Sequence, residues 1–278
     1  MELAIKKAKE CGVAWVVARN SNHYGIAGWY AMMASEQGMI GMSMTNTSPV
    51  CTPTRSKKAA IGTNPIACAA PTLGPPVVLD MATPTVPFGK VELKHRKQEE
   101  CPPGWGVDSN GEQTTDPAKI IFGGGVTPLG GPEITAGYKG YGLGLMVEML
   151  SGVLANSACG PDLGMAMNPN AVNRTEPINL GQCFMAIDPD KFCPGYPARM
   201  DRLANQMRDL PRADDAPGPV LVPGDPEREA TEKQEKDGLD IHENVAATLV
   251  ALGKKLKVPL PAGFMGIAEG KVWGNEDA

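Results

Sequence analysis

Val13-Ala14-Trp15-Val16-Val17-Ala18, then Arg19-Asn20-Ser21-Asn22-His23-Tyr24-Gly25, a segment running to Gly38, and Met39 to Pro49 form the stretch from which the fold is read. The first six residues are apolar nearly throughout and β-branched at Val13, Val16 and Val17, as in a strand covered on both faces. Ile26, Trp29, Tyr30, Met33 and Ala34 then recur at helical spacing, and Gly38 closes the helix. Met39 to Thr45 returns as a second strand and delivers Asn46-Thr47-Ser48-Pro49 to the same sheet edge as His23. Open α/β sheets keep their chemistry at such an edge.

A histidine in a polar turn either caps a helix or bonds a loop carbonyl, or else carries protons. The neighbours of His23 favour the second role. Ser21 and Asn22 bring short hydrogen-bonding side chains, Gly25 admits a backbone or ligand, and the helix start beyond brings partial positive charge.

Upstream, Leu3 to Glu10 reads as an amphipathic helix closed by Gly12. Downstream, Ile61-Gly62-Thr63-Asn64-Pro65 leads into a strand over Ile66 to Ala70, and Val77 to Thr83 forms another. Asp80, at the end of that apolar run, reads equally as a loop hydrogen-bonding group or a site carboxylate. Pro87 to Gln98 reads as a helix, and Trp105 to Glu112, with its Asn110-Gly111 pair, as a hairpin. A glycine-dense stretch from Gly123 to Leu145 runs into a helix over Met146 to Ala155. Glycines before a helix start, with Lys139 among them, present donors and charge to a cofactor phosphate, or else let a helix pack closely. Neither the dinucleotide nor the P-loop fingerprint is present.

Asn168 to Asn179 is polar and irregular, as in a mobile loop beside a site. Gln182 to Ile187 reads as a strand, and Ala198 to Leu210 as a helix with Met200, Leu203, Ala204, Met207 and Leu210 on one face. Val220-Leu221-Val222 reads as a short strand, Glu227 to Lys236 as an exposed charged helix, and Glu243 to Lys257 as a helix turning Val245, Leu249, Leu252 and Leu256 to the core.

With 278 residues the chain is long enough for a substantial core, and its net charge of −5, with basic runs no longer than Lys94-His95-Arg96-Lys97, argues against nucleic acid as a partner. Its seven cysteines show no C-x-x-C spacing, which argues against a disulfide framework and fits reduced thiols in the cytoplasm. His23, His95 and His242 lie too far apart in sequence for an evident metal site. No apolar run approaches a membrane span of about 20 residues.

Ser21-Asn22-His23-Tyr24-Gly25, Thr45-Asn46-Thr47-Ser48-Pro49, Gly62-Thr63-Asn64-Pro65, Leu79-Asp80-Met81-Ala82-Thr83, Lys139-Gly140-Tyr141-Gly142-Leu143 and Asn179-Leu180-Gly181-Gln182 closely resemble the type-2 malate/L-lactate dehydrogenase family. The resemblance covers nearly the whole chain up to about Leu260. It implies a non-Rossmann α/β fold over 1–260, followed by a tail over 261–278 with no assigned role. It further implies a cytoplasmic, homodimeric oxidoreductase that moves a hydride between NAD or NADP and a small 2-hydroxy or 2-oxo acid. By the same resemblance His23 is the proton acceptor, and Thr47, Asp80, Met81, Ala82 and Lys139 contact the cofactor. So does the turn Gly224-Asp225-Pro226, although the family more often has Glu or Gln at Asp225. Family members carry a further segment ahead of this sequence, with a Ser-His-Gly motif and an arginine for the substrate carboxylate. The chain therefore reads as N-terminally truncated, and the alternative function is a catalytically silent subunit that binds nucleotide or pairs with full-length copies.

Overall fold

The computed structural model describes residues 1–163, 178–239 and 241–264. The chain divides into two compact units, Met1–Asp225 and Pro226–Ala278. The first unit contains α1 (Glu2–Cys11), β1 (Val13–Ser21), α2 (Ala27–Ser35), β2 (Ile40–Thr45), β3 (Ile66–Ala70), β4 (Val77–Met81) and α3 (Phe88–Lys97). There follow β5 (Gly106–Val107), β6 (Gln113–Thr114), α4 (Pro117–Ile121), β7 (Gly125–Val126), α5 (Gly137–Val147), β8 (Leu180–Ile187) and α6 (Tyr196–Arg208).

Five strands form the main sheet in the order β1-β8-β2-β3-β4, and every neighbouring pair is antiparallel. Consequently β1, β2 and β4 run one way and β3 and β8 the other. The ends of the first three and the starts of the other two share one edge, which spans about 19 Å at the usual interstrand spacing.

Side chains alternate between two covered faces. Gly41, Ala67 and Ala69 meet α2, whose Ala27 and Ala31 are buried against them. Met44, Ile66 and Cys183 point the other way and pack on Val147 of α5, so the unit has helix, sheet and helix layers. The first layer is close because its residues are small: a Cβ on Gly41 would stand 2.2 Å from the Ala31 carbonyl oxygen. The short strands β5, β6 and β7 make a second sheet over a separate core that includes Ile120, Val126 and Val91. The expected hairpin is there, with Asp108 Oδ1 accepting from the backbone of Asn110 and Glu112 around Gly111.

Several sequence expectations are corrected. β1 is an edge strand, with Val13, Trp15 and Val17 between 37% and 41% exposed, because only β8 pairs with it. Its apolar run resembles a doubly covered strand, but its outer face is only partly covered. The helix expected from Met146 begins at Gly137 instead. The glycines therefore lie inside α5, where Gly140 rests on the backbone of Leu129 and Gly144 on Ile61 and Thr83. On α6 only Ala204 is buried, while Leu203, Met207 and, just beyond the helix, Leu210 are exposed. Val220-Leu221-Val222 forms no strand; the Pro223 carbonyl accepts a single bond from Val78 N. The loop expected from 168 lies outside the described residues as far as 177.

In the second unit, α7 (Asp225–Asp237) starts at the break and α8 (Glu243–Leu256) follows. Ala246 and Val250 are the buried positions of α8, whereas Val245, Leu249, Leu252 and Leu256 are exposed, reversing the expected face. Among the described residues, no helix is long and apolar enough to cross a membrane.

Candidate active site at the sheet edge

The turn after β1 is pinned on both sides of His23. Gln182 Nε2 donates to the Asn22 carbonyl at 2.8 Å, and Gln182 itself sits in register between Ala18 of β1 and Thr45 of β2. Tyr24 stacks on Tyr30 at 4.8 Å, its hydroxyl lies 2.9 Å from Ser43 Oγ, and Tyr30 OH donates to its carbonyl. Burial holds the Tyr24 phenol well above its usual range, so it serves as a fixed anchor. Between these two anchors the imidazole of His23 is exposed, with Gly25 N donating to Nδ1 at 3.1 Å. In the neutral ring that contact puts the proton on Nε2.

The next positions along the edge are Thr47, after β2, and Thr63, before β3. Their hydroxyls are 3.2 Å apart, Thr63 N donates to Thr47 Oγ1 at 2.8 Å, and Thr47 N donates to Asn64 Oδ1 at 3.0 Å. Beyond them the backbone continues as a ladder: Thr83 N donates to Thr63 O, Leu129 N to Thr83 O, and Gly140 N to Leu129 O. This ladder brings the first turn of α5, with exposed Lys139, beside the Met81-Ala82-Thr83 segment. Sequence proximity alone does not reveal that junction.

Three donors of that turn are already used. Gly137 N bonds Pro132 O, Lys139 N bonds Ala136 O, and Gly140 N bonds Leu129 O. The expected backbone cradle for a phosphate is therefore closed at these three groups, and the exposed Lys139 side chain stands beside them to meet an anion.

Asp80 does take a bonding role, since its Oδ2 accepts from Gly28 N at 2.8 Å and closes the first turn of α2, while the residue stays exposed at the strand end. Asp80→Ala is expected to cost about 0.5–2 kcal/mol, as for loss of a helix cap. A urea unfolding midpoint equal to wild type would refute that role. Asp225 is engaged as well, paired with Arg208 through two contacts of 2.9 Å and accepting from Val222 N. With Pro223 the Gly224-Asp225 turn reaches β4 at Val78, toward the end of the strand away from His23.

The sequence motifs contain Asn46 and Asn64 without giving either a role, and Glu148 lies outside them. All three are buried, and they link the strand ends to the π-helical turn Glu148–Val153 that continues α5. A signal was available, since Glu148 is the one charged residue in the apolar run Leu143 to Leu150.

Comparison with known proteins identifies the family. The model of the malate/L-lactate dehydrogenase family matches residues 1–250. The chain is 42% identical over 261 residues to malate dehydrogenase of Pyrococcus abyssi, covering 93% of this chain and 70% of that protein. It is 40% identical over 247 residues to L-sulfolactate dehydrogenase of Methanocaldococcus jannaschii, covering 88% and 67%. The solved malate dehydrogenase of Pyrococcus horikoshii OT3 superposes with a TM-score of 0.80 at 37% identity, covering 93% of this chain and 69% of that one. With an α/β fold, a matching family model over most of its length and these relatives, the chain belongs to the type-2 malate/L-lactate dehydrogenase family.

Proposed function

We propose that the chain is an NAD(P)-dependent oxidoreductase that interconverts small 2-hydroxy and 2-oxo acids of the malate or lactate kind, with His23 as the proton-transferring residue. The observation that carries this reading is the placement of exposed His23 and half-buried Thr47, Met81 and Ala82 on one sheet edge, with Lys139 joined to it through Leu129. The names of its relatives, malate dehydrogenase and L-sulfolactate dehydrogenase, support the same class of substrate.

The residues fit a dinucleotide. A Cβ on Gly25 would meet nothing within 4 Å, leaving open space beside the imidazole, while Thr47 and Thr63 bring hydroxyls and Lys139 a cation. Thr47, Met81 and Ala82 would hold the nicotinamide half and Lys139 a phosphate. When bound, the nicotinamide supplies the hydride acceptor or donor. Asp80 and the Gly224-Asp225-Pro226 turn are proposed as further cofactor contacts on the family resemblance, with Asp80 Oδ2 also accepting from Gly28 N and Asp225 also paired with Arg208.

His23 handles the accompanying proton. For reduction the ring is imidazolium, its Nδ1 protonated and released from Gly25 N, and it passes its Nε2 proton to the keto oxygen, leaving neutral imidazole protonated on Nδ1. To accept a hydroxyl proton at Nε2, the ring must first carry its own proton on Nδ1, which releases Gly25. The positive φ of 92° at Gly25 is a conformation that glycine holds without strain.

We further assign a homodimer in the cytoplasm. Tyr138, Leu145, Met149 and Val153 leave an exposed apolar stripe along α5 and the turn after it, and all seven cysteines are free. The direct test mixes purified chain with NADH or NADPH and a panel of 2-oxo acids and follows cofactor absorbance. Turnover of at least one acid is expected, and the preferred cofactor separates NAD from NADP. Cofactor binding without turnover would return the silent-subunit reading, and the absence of both would sink the proposal.

A further inference from the structure

We propose that Glu148 is a positioning residue for this site, its buried carboxylate setting the orientation of the two asparagines that hold the strand ends around Thr47. This rests on the reading that the Thr47 edge receives the dinucleotide. Glu148 is 3% exposed, and Asn46 and Asn64 are fully buried. Its Oε1 accepts from Asn64 Nδ2 at 3.0 Å, and its Oε2 from Asn46 Nδ2 at 3.0 Å and Gly160 N at 3.2 Å.

The argument follows from donor and acceptor identity. A carboxylate has no N–H, so each asparagine must turn its amide nitrogen toward Glu148 and its oxygen away. Asn64 Oδ1 is thereby aimed at Thr47 N, 3.0 Å away, and Asn46 Oδ1 at Gly181 N, 2.9 Å away. The second proton of each amide goes to a carbonyl, Gly144 O for Asn64 and Ala158 O for Asn46. Both amides are thus fully used, and one carboxylate fixes the loop after β2, the loop before β3 and the start of β8.

The surrounding backbone accommodates this carboxylate. The π-helical turn, with Leu154 N bonding Met149 O, widens the helix where Glu148 leaves it. Gly152 is required beneath, since a Cβ there would stand 2.6 Å from Asn46 Nδ2 and 3.1 Å from Glu148 Oε2.

Glu148→Gln keeps the shape but offers one acceptor and one donor. One asparagine must then flip and set its amide nitrogen against the backbone N–H of Thr47 or Gly181, leaving a buried donor unpaired. For the folded variant, the KM and Kd for the preferred cofactor are expected to rise about tenfold or more, with a smaller change in kcat. Cofactor constants within about twofold of wild type would overturn the proposal. Should Glu148→Gln fail to fold, combining it with Asn64→Asp decides the matter. The carboxylate then at position 64 accepts from both Thr47 N and the new amide at position 148, at the loss of the Gly144 contact, so folding and cofactor affinity should partly return. No recovery would overturn the proposal, because a merely space-filling Glu148 gains nothing from a second charge change. Wild type that binds neither NADH nor NADPH would instead bring down the site reading, and this inference with it.

Discussion

His23→Ala is expected to lower kcat for 2-oxo acid reduction by about 10²–10⁴-fold, the usual contribution of a positioned general acid or base. Cofactor affinity should stay close to wild type, because Thr47, Met81 and Lys139 are held by contacts that do not involve the imidazole. Stability should change by no more than about 0.5 kcal/mol, since the ring is exposed and its hydrogen bond is to Gly25, two residues away. The turn itself is secured by Gln182 on Asn22 and by the Tyr24–Tyr30 stack, both of which survive the substitution. The measurement is steady-state turnover beside cofactor titration and a thermal melt. Unchanged kcat would remove His23 from the chemistry, whereas a lost melt with lost turnover would show that the ring holds the turn.

The second large effect concerns the fold. A Cβ at residue 41 would lie 2.2 Å from the Ala31 carbonyl oxygen and 2.8 Å from Ala34 Cβ, so Gly41→Ala must lift α2 from β2. Backbone and the short Ala34 side chain cannot rotate out of the way. The expected cost is about 1–3 kcal/mol, as for other overpacked cores, or a fall in melting temperature of about 2–12 °C. Because Asp80 ties the first turn of α2 to β4, the displacement should also strain the sheet edge. Calorimetry or a circular dichroism melt reads the effect directly. A melting temperature within about 1 °C of wild type would mean that helix and strand do not approach so closely, since typical core overpacking exceeds that shift.

Much of the local structure is legible in residue order. Ile66 to Ala70 is a strand with the expected bounds, Asn110-Gly111 makes its hairpin, and Gly12 ends α1 with a φ of 86°. The polar groups after β1 and β2 share an edge as expected, because both strands pair antiparallel with β8. The helix from Gly137 is not legible in the sequence, for a physical reason. Glycine is a poor helix former by about 1 kcal/mol per residue, so the Gly137 to Gly144 run reads as loop until the backbones of Leu129 and Gly131 are seen pressed against it.

The chain itself determined its chemical repertoire: an imidazole between short polar residues, hydroxyls and amides at strand ends, and a lysine among glycines, which together resemble one family. Those are properties of side chains and of local backbone preference, and they travel with the residue order. Only the tertiary structure decided which of these groups meet. The ladder through Leu129 brought Lys139 to the edge, Asp80 and Asp225 were drawn into neighbouring turns, and a carboxylate 84 residues from Asn64 came to orient it. Such pairings depend on strand order and on helices seated over small residues, which are long-range consequences of packing that no local pattern encodes.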